Sequence, residues 1–456
     1  MPDIGSGWKC RDPDGILRRS YLESKMSSLF YEDIFVKIME EGELLPHLFR
    51  TEYQKMVSVL CYRFGIEHIE IAQDIVSDTF LSATEVWSVK GIPENPPAWL
   101  YTVAKNKTKN YLKRNSLFEQ KVSEEIRYNT LAGEELEIDM SHKNITDSQL
   151  AMIFTVCNPN ISGESQIALA LNLLCGFGIQ EIADAFLTNK EVIYKRIGRA
   201  REKLKEAKLK IEQPSQSEIN NRLETVLTTL YLLFSEGYYS TSQNTTLRMD
   251  LCAEAMRLNY LLAQNENTNK PEVNALQALM CFHASRFEAR TSSNGEIILY
   301  EDQDEKLWDR ELMETGEYFL NQAAKGKKLT KFHLEAGIAY WHTHKEDTLE
   351  KWENILDLYN HLLILEYSPV AALNRTFALA KTNKKEQAIR EAEKLNLKDN
   401  HFYHSLLGNL YTDIDNEKAL QSFETAWKLA HSSSDKAVMI KHIRRLQNGR
   451  DYSIPE

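Results

Sequence analysis

Apolar residues in this chain recur at helical spacing in one segment after another. No segment shows the strand–helix alternation that a parallel sheet needs. In LFRTEYQKMVSVLCYRFG, Leu48, Tyr53, Met56, Val57 and Leu60 fall on one face, and Gly65 stands where such a helix takes its C-terminal cap. In IEIAQDIVSDTFLSATEVW, Ile71, Ile75, Phe80 and Val86 lie roughly on one side, with Asp74, Asp78 and Glu85 away from them. GIPENPP then interrupts the pattern, because Pro93, Pro96 and Pro97 cannot continue a helix. From residue 217 onward the pattern is helix after helix. The expected fold class is therefore all-α, with one short extended piece at IILYEDQD.

The 456 residues carry a formal net charge of −11 and are 43% hydrophobic, enough for several soluble cores. No apolar run is long enough for a membrane span, and no secretory signal opens the chain. Six cysteines (Cys10, Cys61, Cys157, Cys175, Cys252, Cys281) are scattered without a CxxC pair. That usage fits structural thiols in a reducing cytoplasm rather than a zinc ribbon or a disulfide framework. The expected localisation is cytoplasmic, with no metal and no cofactor.

Within this acidic total the cations cluster twice, around 105–114 and 190–210. AWLYTVAKNKTKNYLKRN, residues 98–115, sets Trp99, Tyr101 and Tyr111 among Lys105, Lys107, Lys109, Lys113 and Arg114, with no acid. Lysines neutralise phosphates, aromatic faces accept unstacked bases, and Asn106 and Asn110 offer paired donors and acceptors to base edges. Two readings stay open: a surface for single-stranded or opening DNA, and an amphipathic helix with buried aromatics and solvated lysines. GIQEIADAFLTNKEVIYKRIGRAREKLK has the shape of a helix-turn-helix. Ile179, Ile182, Ala183 and Phe186 bury its first helix, and Val192, Ile193 and Ile197 its second. Thr188 or Asn189 caps that second helix. Tyr194, Lys195, Arg196 and Arg199 lie near its exposed side, with Arg201 and Lys203 beyond, where such a helix meets the major groove.

These segments divide the chain. Residues 1–28 are unpatterned and read as a leader or extension. Residues 29–115 form a first helical domain, 116–147 an acidic linker, 148–212 the helix-turn-helix domain, and 217–456 a C-terminal helical domain. Near the end, LLGNLY and ALQSF resemble the tetratricopeptide pattern through Gly408, Tyr411, Ala419 and Phe423. A similar rhythm lies roughly 30 residues upstream. One residue is missing before Ala419, so the match is degenerate.

An aromatic, basic helix followed by an acidic linker and a helix-turn-helix resembles the bacterial extracytoplasmic-function sigma factors of RNA polymerase. DSQLAMIFTVCNP, LLCGFGIQEIADAFL, YLLFSEGYYS, RMDLCAEAMRL, ALMCFHASRFEAR, YEDQDEKLWDR and YSPVAALNR extend the likeness to the group with a long C-terminal TPR-like domain, over about residues 30–450. The resemblance implies that residues 44–114 act as sigma region 2 and 148–208 as region 4. It assigns Trp99, Tyr101, Asn106, Lys109, Asn110, Lys113 and Arg114 to the −10 element, with Asn106 at the position that receives a flipped base. Trp99 and Tyr101 either wedge or only pack. Tyr194, Lys195, Arg196, Arg199 and Arg201 fall to the −35 element, and Asp74 and Asp78 to the polymerase clamp coiled coil. Gly198 stands where many relatives carry a bulkier side chain. The implied partners are promoter DNA and core RNA polymerase through its clamp and β flap, with intramolecular contacts from the C-terminal domain. The acidic linker would thread the polymerase channel or serve only as a solvated tether.

Catalysis is not expected. Glu301, Asp302, Asp304 and Asp309 are clustered but need not converge, and a structural pairing of Arg286 and Arg290 with Asp302 or Asp304 accounts for them. His342 and His344 form a lone HxH that reads as surface. The alternative function is a stand-alone helix-turn-helix regulator on a TPR scaffold.

Overall fold

The computed structural model of the chain describes residues 44–118, 138–186, 188–207, 211–238, 248–290, 298, 300–430 and 433–450. All regular elements among them are helical, as the apolar spacing predicts. The expected leader and residues 119–137 of the expected linker lie outside the described residues. The chain divides into two compact units. The first is Phe30–Leu233 with Gln264–Thr268, and the second is built on Phe234–Ala263 and Asn269–Glu456.

The first unit holds α1 (Leu44–Phe64), α2 (Ile69–Lys90), α3 (Pro96–Phe118), α4 (His142–Val156), α5 (Gly163–Leu173), α6 (Ile179–Ala185), α7 (Lys190–Glu206) and most of α8 (Gln216–Tyr238). Gly65, at φ 96°, ends α1. Its N–H closes on the Cys61 carbonyl at 2.8 Å, and that left-handed backbone favours glycine. At the centre stands α4, in which each residue from Ser148 to Val156 is buried. A helix covered all round is a core element rather than a surface one. Burial of a side chain such as Ile153 or Phe154 stabilises by about 1.5–3 kcal/mol. This helix opens at His142, inside the stretch expected as linker, and the Ser141 hydroxyl caps it by accepting from the Asn144 N–H. Two bonds fasten α8 to the unit: Arg222 donates to the Phe154 carbonyl, and Thr229 Oγ1 donates to Gln166 Oε1 at 2.8 Å. Residue 217, the expected start of the C-terminal domain, lies in this helix.

In the second unit follow α9 (Met249–Gln264), α10 (Pro271–Ala284), α11 (Phe287–Arg290), α12 (Arg310–Ala323), α13 (Lys331–Trp341), α14 (Leu349–Leu365), α15 (Pro369–Lys381), α16 (Lys385–Leu395), α17 (His401–Tyr411), α18 (Asn416–Leu429) and α19 (Ser433–Arg450). Buried from Val273 to Phe282, α10 packs against α12 and α13. The stretch expected to be extended instead makes a 3-10 turn over Tyr300–Asp302. With no sheet among the described residues to supply ladder partners, the backbone satisfies itself locally, and the Gln303 N–H reaches the Tyr300 carbonyl at 3.4 Å.

From α14 on, each helix packs chiefly on its neighbours in sequence. The hairpins α15–α16 and α17–α18 turn alike. After α15, Thr382 Oγ1 bonds back to Leu379 O and Asn383 takes φ 62°. Thirty residues later, Thr412 Oγ1 bonds back to Gly408 O and Asp413 takes φ 66°. Gly408 lets α17 and α18 approach closely, because a Cβ there would meet Phe423 ring carbons at 2.8 Å.

Two predictions follow from this packing. Gly408→Val should cost about 1–3 kcal/mol through overpacking. Gly198→Ala, in α7 with open space around the added methyl, should gain up to about 1 kcal/mol of helix propensity. Thermal melts followed by circular dichroism check both. Burial pushes the Cys61, Cys157 and Cys281 thiols up to about 12, and Cys175 and Cys252 are buried as well. Thiolates, not thiols, react. None of these five should react with an aromatic disulfide reagent at pH 8 until guanidinium unfolds the chain.

Candidate nucleic-acid interface

The start of α3 is set by its prolines and one asparagine. Gly91, at φ 82°, ends α2. Asn95 Oδ1 then accepts from the Ala98 N–H at 3.0 Å, with Pro96 and Pro97 in the first turn, where a missing N–H costs nothing. The helix buries one ridge, Leu100, Ala104 and Thr108, each fully inaccessible. Opposite runs an exposed ridge of Thr102, Asn106, Asn110 and Lys113, with Arg114 beside it. Lys109 is half-buried on the flank. Four of the residues assigned to the −10 element therefore share one accessible side: Asn106, Asn110, Lys113 and Arg114.

The two aromatics behave differently. Trp99 packs edge-on against Trp87 of α2, with ring centroids 5.3 Å apart. Tyr101 turns toward α1 and donates its hydroxyl to the Glu52 carboxylate. Burial, and then the Glu52 charge, raise the Tyr101 pKa. Glu52 is itself buried and also holds Lys55 at 2.8 Å. Both rings are packed in this structure, one on Trp87 and one against Glu52. An open cleft of about 500 Å³ lies beside Tyr101, lined by it and by Thr102, Lys105, Ile138, Asp139 and Met140.

On α2, Asp74 and Asp78 are exposed as expected. They share that face with Leu81, which is 59% exposed, and with Glu85. Leu81 was not singled out from sequence. The signal was available, because Leu81 sits at helical spacing from both aspartates and out of phase with the buried Phe80.

The helix-turn-helix forms as α6 and α7. Of the two possible caps, Asn189 is used, its Oδ1 accepting from the Val192 N–H at 3.0 Å. Ile182, Ala183, Ile193, Ile197, Ala200 and Leu204 are buried. Val192, expected in the core, is 39% exposed, because it occupies the first turn and points past the packed face. Tyr194, Lys195 and Arg199 are exposed. Arg196 is half-buried and pairs with Glu164 at 2.7 Å.

Arg201 is turned inward. Its Nη2 donates to Asn172 Oδ1 at 2.9 Å and to Gln73 Oε1, on α2, at 3.2 Å. Burial lowers its pKa. The same asparagine's carbonyl accepts from Gln54 Nε2 of α1 at 3.1 Å. In this arrangement Arg201 ties the helix-turn-helix to α2 and does not face solvent with Lys195 and Arg199.

In the second unit, the expected pairing of Arg286 and Arg290 with Asp302 or Asp304 does not form. Asp302 lies 3.6 Å from Lys441, and Asp304 caps a short turn through the Lys306 N–H. Aromatic faces take the arginines instead, with Arg286 over Tyr300 and Arg290 over Tyr238. His344 is exposed, but His342 packs edge-on between Tyr300 and Trp352. Among the described residues, no group of three or more His, Cys, Asp or Glu is placed to hold a metal. No helix among them is long and apolar enough to cross a membrane.

Comparison with known proteins places these helices. Residues 49–118, spanning α1 to α3, match Sigma-70 region 2. Residues 222–324 match a family of unknown function, DUF6596. The chain is 31% identical over 399 residues to an uncharacterized protein of Rhizobium meliloti (strain 1021), covering 84% of this chain and 91% of that protein. No solved structure matches. With that coverage, and with region 2 lying on the three helices that carry the exposed Asn106 ridge, the chain belongs to the family of the Rhizobium meliloti protein and to the sigma-70 sigma factors.

Proposed function

We propose that this sigma factor is of the extracytoplasmic-function type and that α3 opens and reads the −10 element while α7 reads the −35 element. The observation that carries the reading is the exposed ridge of Asn106, Asn110 and Lys113 opposite a fully buried one. Asparagine side chains offer both donors and acceptors to base edges, and the neighbouring cations hold the phosphates. A flipped base costs a few kcal/mol to unstack, which contacts along that ridge would offset. The −35 contacts fall to Tyr194, Lys195 and Arg199, while Arg196 and Arg201 position the helix. Core polymerase docks on α2 through Asp74, Asp78 and the exposed Leu81. An apolar side chain flanked by carboxylates suits a partner surface that is basic around an apolar centre. The C-terminal unit is TPR-like, a reading supported by the two hairpins with matching turns, and it modulates activity through its own contacts.

Asn106→Ala tests the reading. Permanganate footprinting of open complexes should show about a tenfold loss of promoter melting, the scale of one good base contact. Capture of core polymerase by the full chain should be unchanged. Equal loss of melting and capture would count against the assignment. Tight binding of duplex by the full chain without polymerase would favour a stand-alone helix-turn-helix regulator.

The two arginines of α7 should separate. Arg201→Met removes charged hydrogen bonds to Asn172 and Gln73 and should destabilise the chain by roughly 2–3 kcal/mol. Arg199→Met should change stability by less than about 0.5 kcal/mol while weakening binding of −35 DNA. Denaturant titrations and DNA binding by the polymerase complex distinguish the two.

A further inference from the structure

The second unit contains a cationic centre that the promoter-reading role does not use. Arg286, in the turn between α10 and α11, is 8% exposed. Its guanidinium carbon lies 5.5 Å from the Tyr300 ring centre, and Nη2 reaches the Tyr238 hydroxyl at a long 3.5 Å. No carboxylate among the described residues forms an ion pair with it, and its Nε is buried without an acceptor. Lys351, in the first turn of α14, is 1% exposed. Its Nζ lies 5.2 Å from the same ring centre and donates to the Tyr300 hydroxyl at 3.1 Å and the His344 carbonyl at 2.6 Å. Two cations thus share one tyrosine ring.

Their counter-charges are weak. Asp347 faces Lys351 but is exposed, and it also serves Lys381, at 2.9 Å, and the Trp352 indole. Glu305 is exposed too. The Trp308 ring lies 6.1 Å from Tyr300, and its Nε1–H is buried with no acceptor. His342 Nδ1 is likewise unsatisfied. The surroundings respond to the excess of positive charge. Burial, then Arg286 and Lys351, bring the His342 pKa down to about 3. Burial also lowers that of Lys351, against the pull of Asp347, with Lys381 and then Arg286 adding to the effect.

A buried cation without a paired anion costs several kcal/mol, and an unsatisfied buried donor adds to that cost. Cation–π contacts offset only part of that cost. An anion set among these donors would satisfy them together. The Nε–Nη edge of arginine is a fork for oxyanions, and lysine adds a point charge. Donors come from the turn after α10, from the segment leading to α12 and from α14, and a phosphate offers donors from three segments more oxygens than a carboxylate does.

We propose that the C-terminal unit carries a phosphate-binding site in which Arg286 and Lys351 are the cationic pair and Trp308 Nε1 is a neutral donor. The ligand is a phosphate group, either the free ion or a small monoester. The site is independent of the promoter reading and stands whether or not α3 opens DNA.

The test is calorimetric titration of the full chain with inorganic phosphate at ionic strength held constant with chloride. Saturable binding at one site per chain is expected. Arg286→Gln and Lys351→Met should each weaken it at least tenfold, and Trp308→Phe several-fold. Circular dichroism melts without phosphate establish that each variant is folded. Absence of phosphate binding by the wild-type chain overturns the proposal whatever the variants do. Unchanged affinity in folded Arg286→Gln places the ion elsewhere and also overturns it. A parallel titration with glycerol phosphate decides the source. Tighter binding of the ester supports a phosphorylated small molecule, and preference for inorganic phosphate supports the free ion.

Discussion

A guanidinium withdrawn from water must be given acceptors, and in the first unit that requirement fixes α7 against α2. Arg201 meets it in part, its Nη2 donating to Asn172 and Gln73, two residues far apart in the chain, while its Nε stays buried without an acceptor. The Asn172 carbonyl then accepts from Gln54 on α1. Four polar side chains thus join region 2 to the helix-turn-helix, around a core in which α4 is covered on all sides. Only once this clamp is set does α7 have a defined outer face. Tyr194, Lys195 and Arg199 are presented because Ile193, Ile197, Ala200 and Arg201 are committed inward.

The fold class was legible because helical spacing repeats along the whole chain and the punctuation is unambiguous. Gly65, Gly91, the prolines before α3 and Asn189 each act where local chemistry says they should. Asn106 and Asn110 were also legible, since a helix that buries Leu100, Ala104 and Thr108 must expose the positions two removed from each. What the sequence hides is the partner. A tyrosine at position 101 has the same composition whether it faces DNA or Glu52, and Glu52 lies 49 residues away. The inward turn of Arg201 depends on Gln73, 128 residues distant. Proximity in sequence misleads in the same way around Tyr300, where Arg286 and Arg290 sit over rings and the nearby aspartates have other partners.

The aromatic and basic stretch that forms α3 does two jobs on two sides. Its rings pack the helix onto α1 and α2, while its asparagines and terminal cations are exposed. An exposed face is held more accurately when its supporting shell is rigid, and Trp87–Trp99 and Glu52–Tyr101 are such supports. The mixture of aromatics and cations in one acidic protein therefore reflects anchoring on one side and display on the other.

The stacking of α14 to α19 has a consequence for how the polypeptide reaches this state. Because each helix there contacts chiefly its neighbours in sequence, few of its contacts require distant parts of the chain to meet first. Low contact order shortens the conformational search, and domains generally fold as units during synthesis. Each hairpin of this stack can thus acquire most of its partners soon after it leaves the ribosome. The first unit must wait longer, because α1 and α2 are completed by groups made more than a hundred residues later, Asn172 and Arg201.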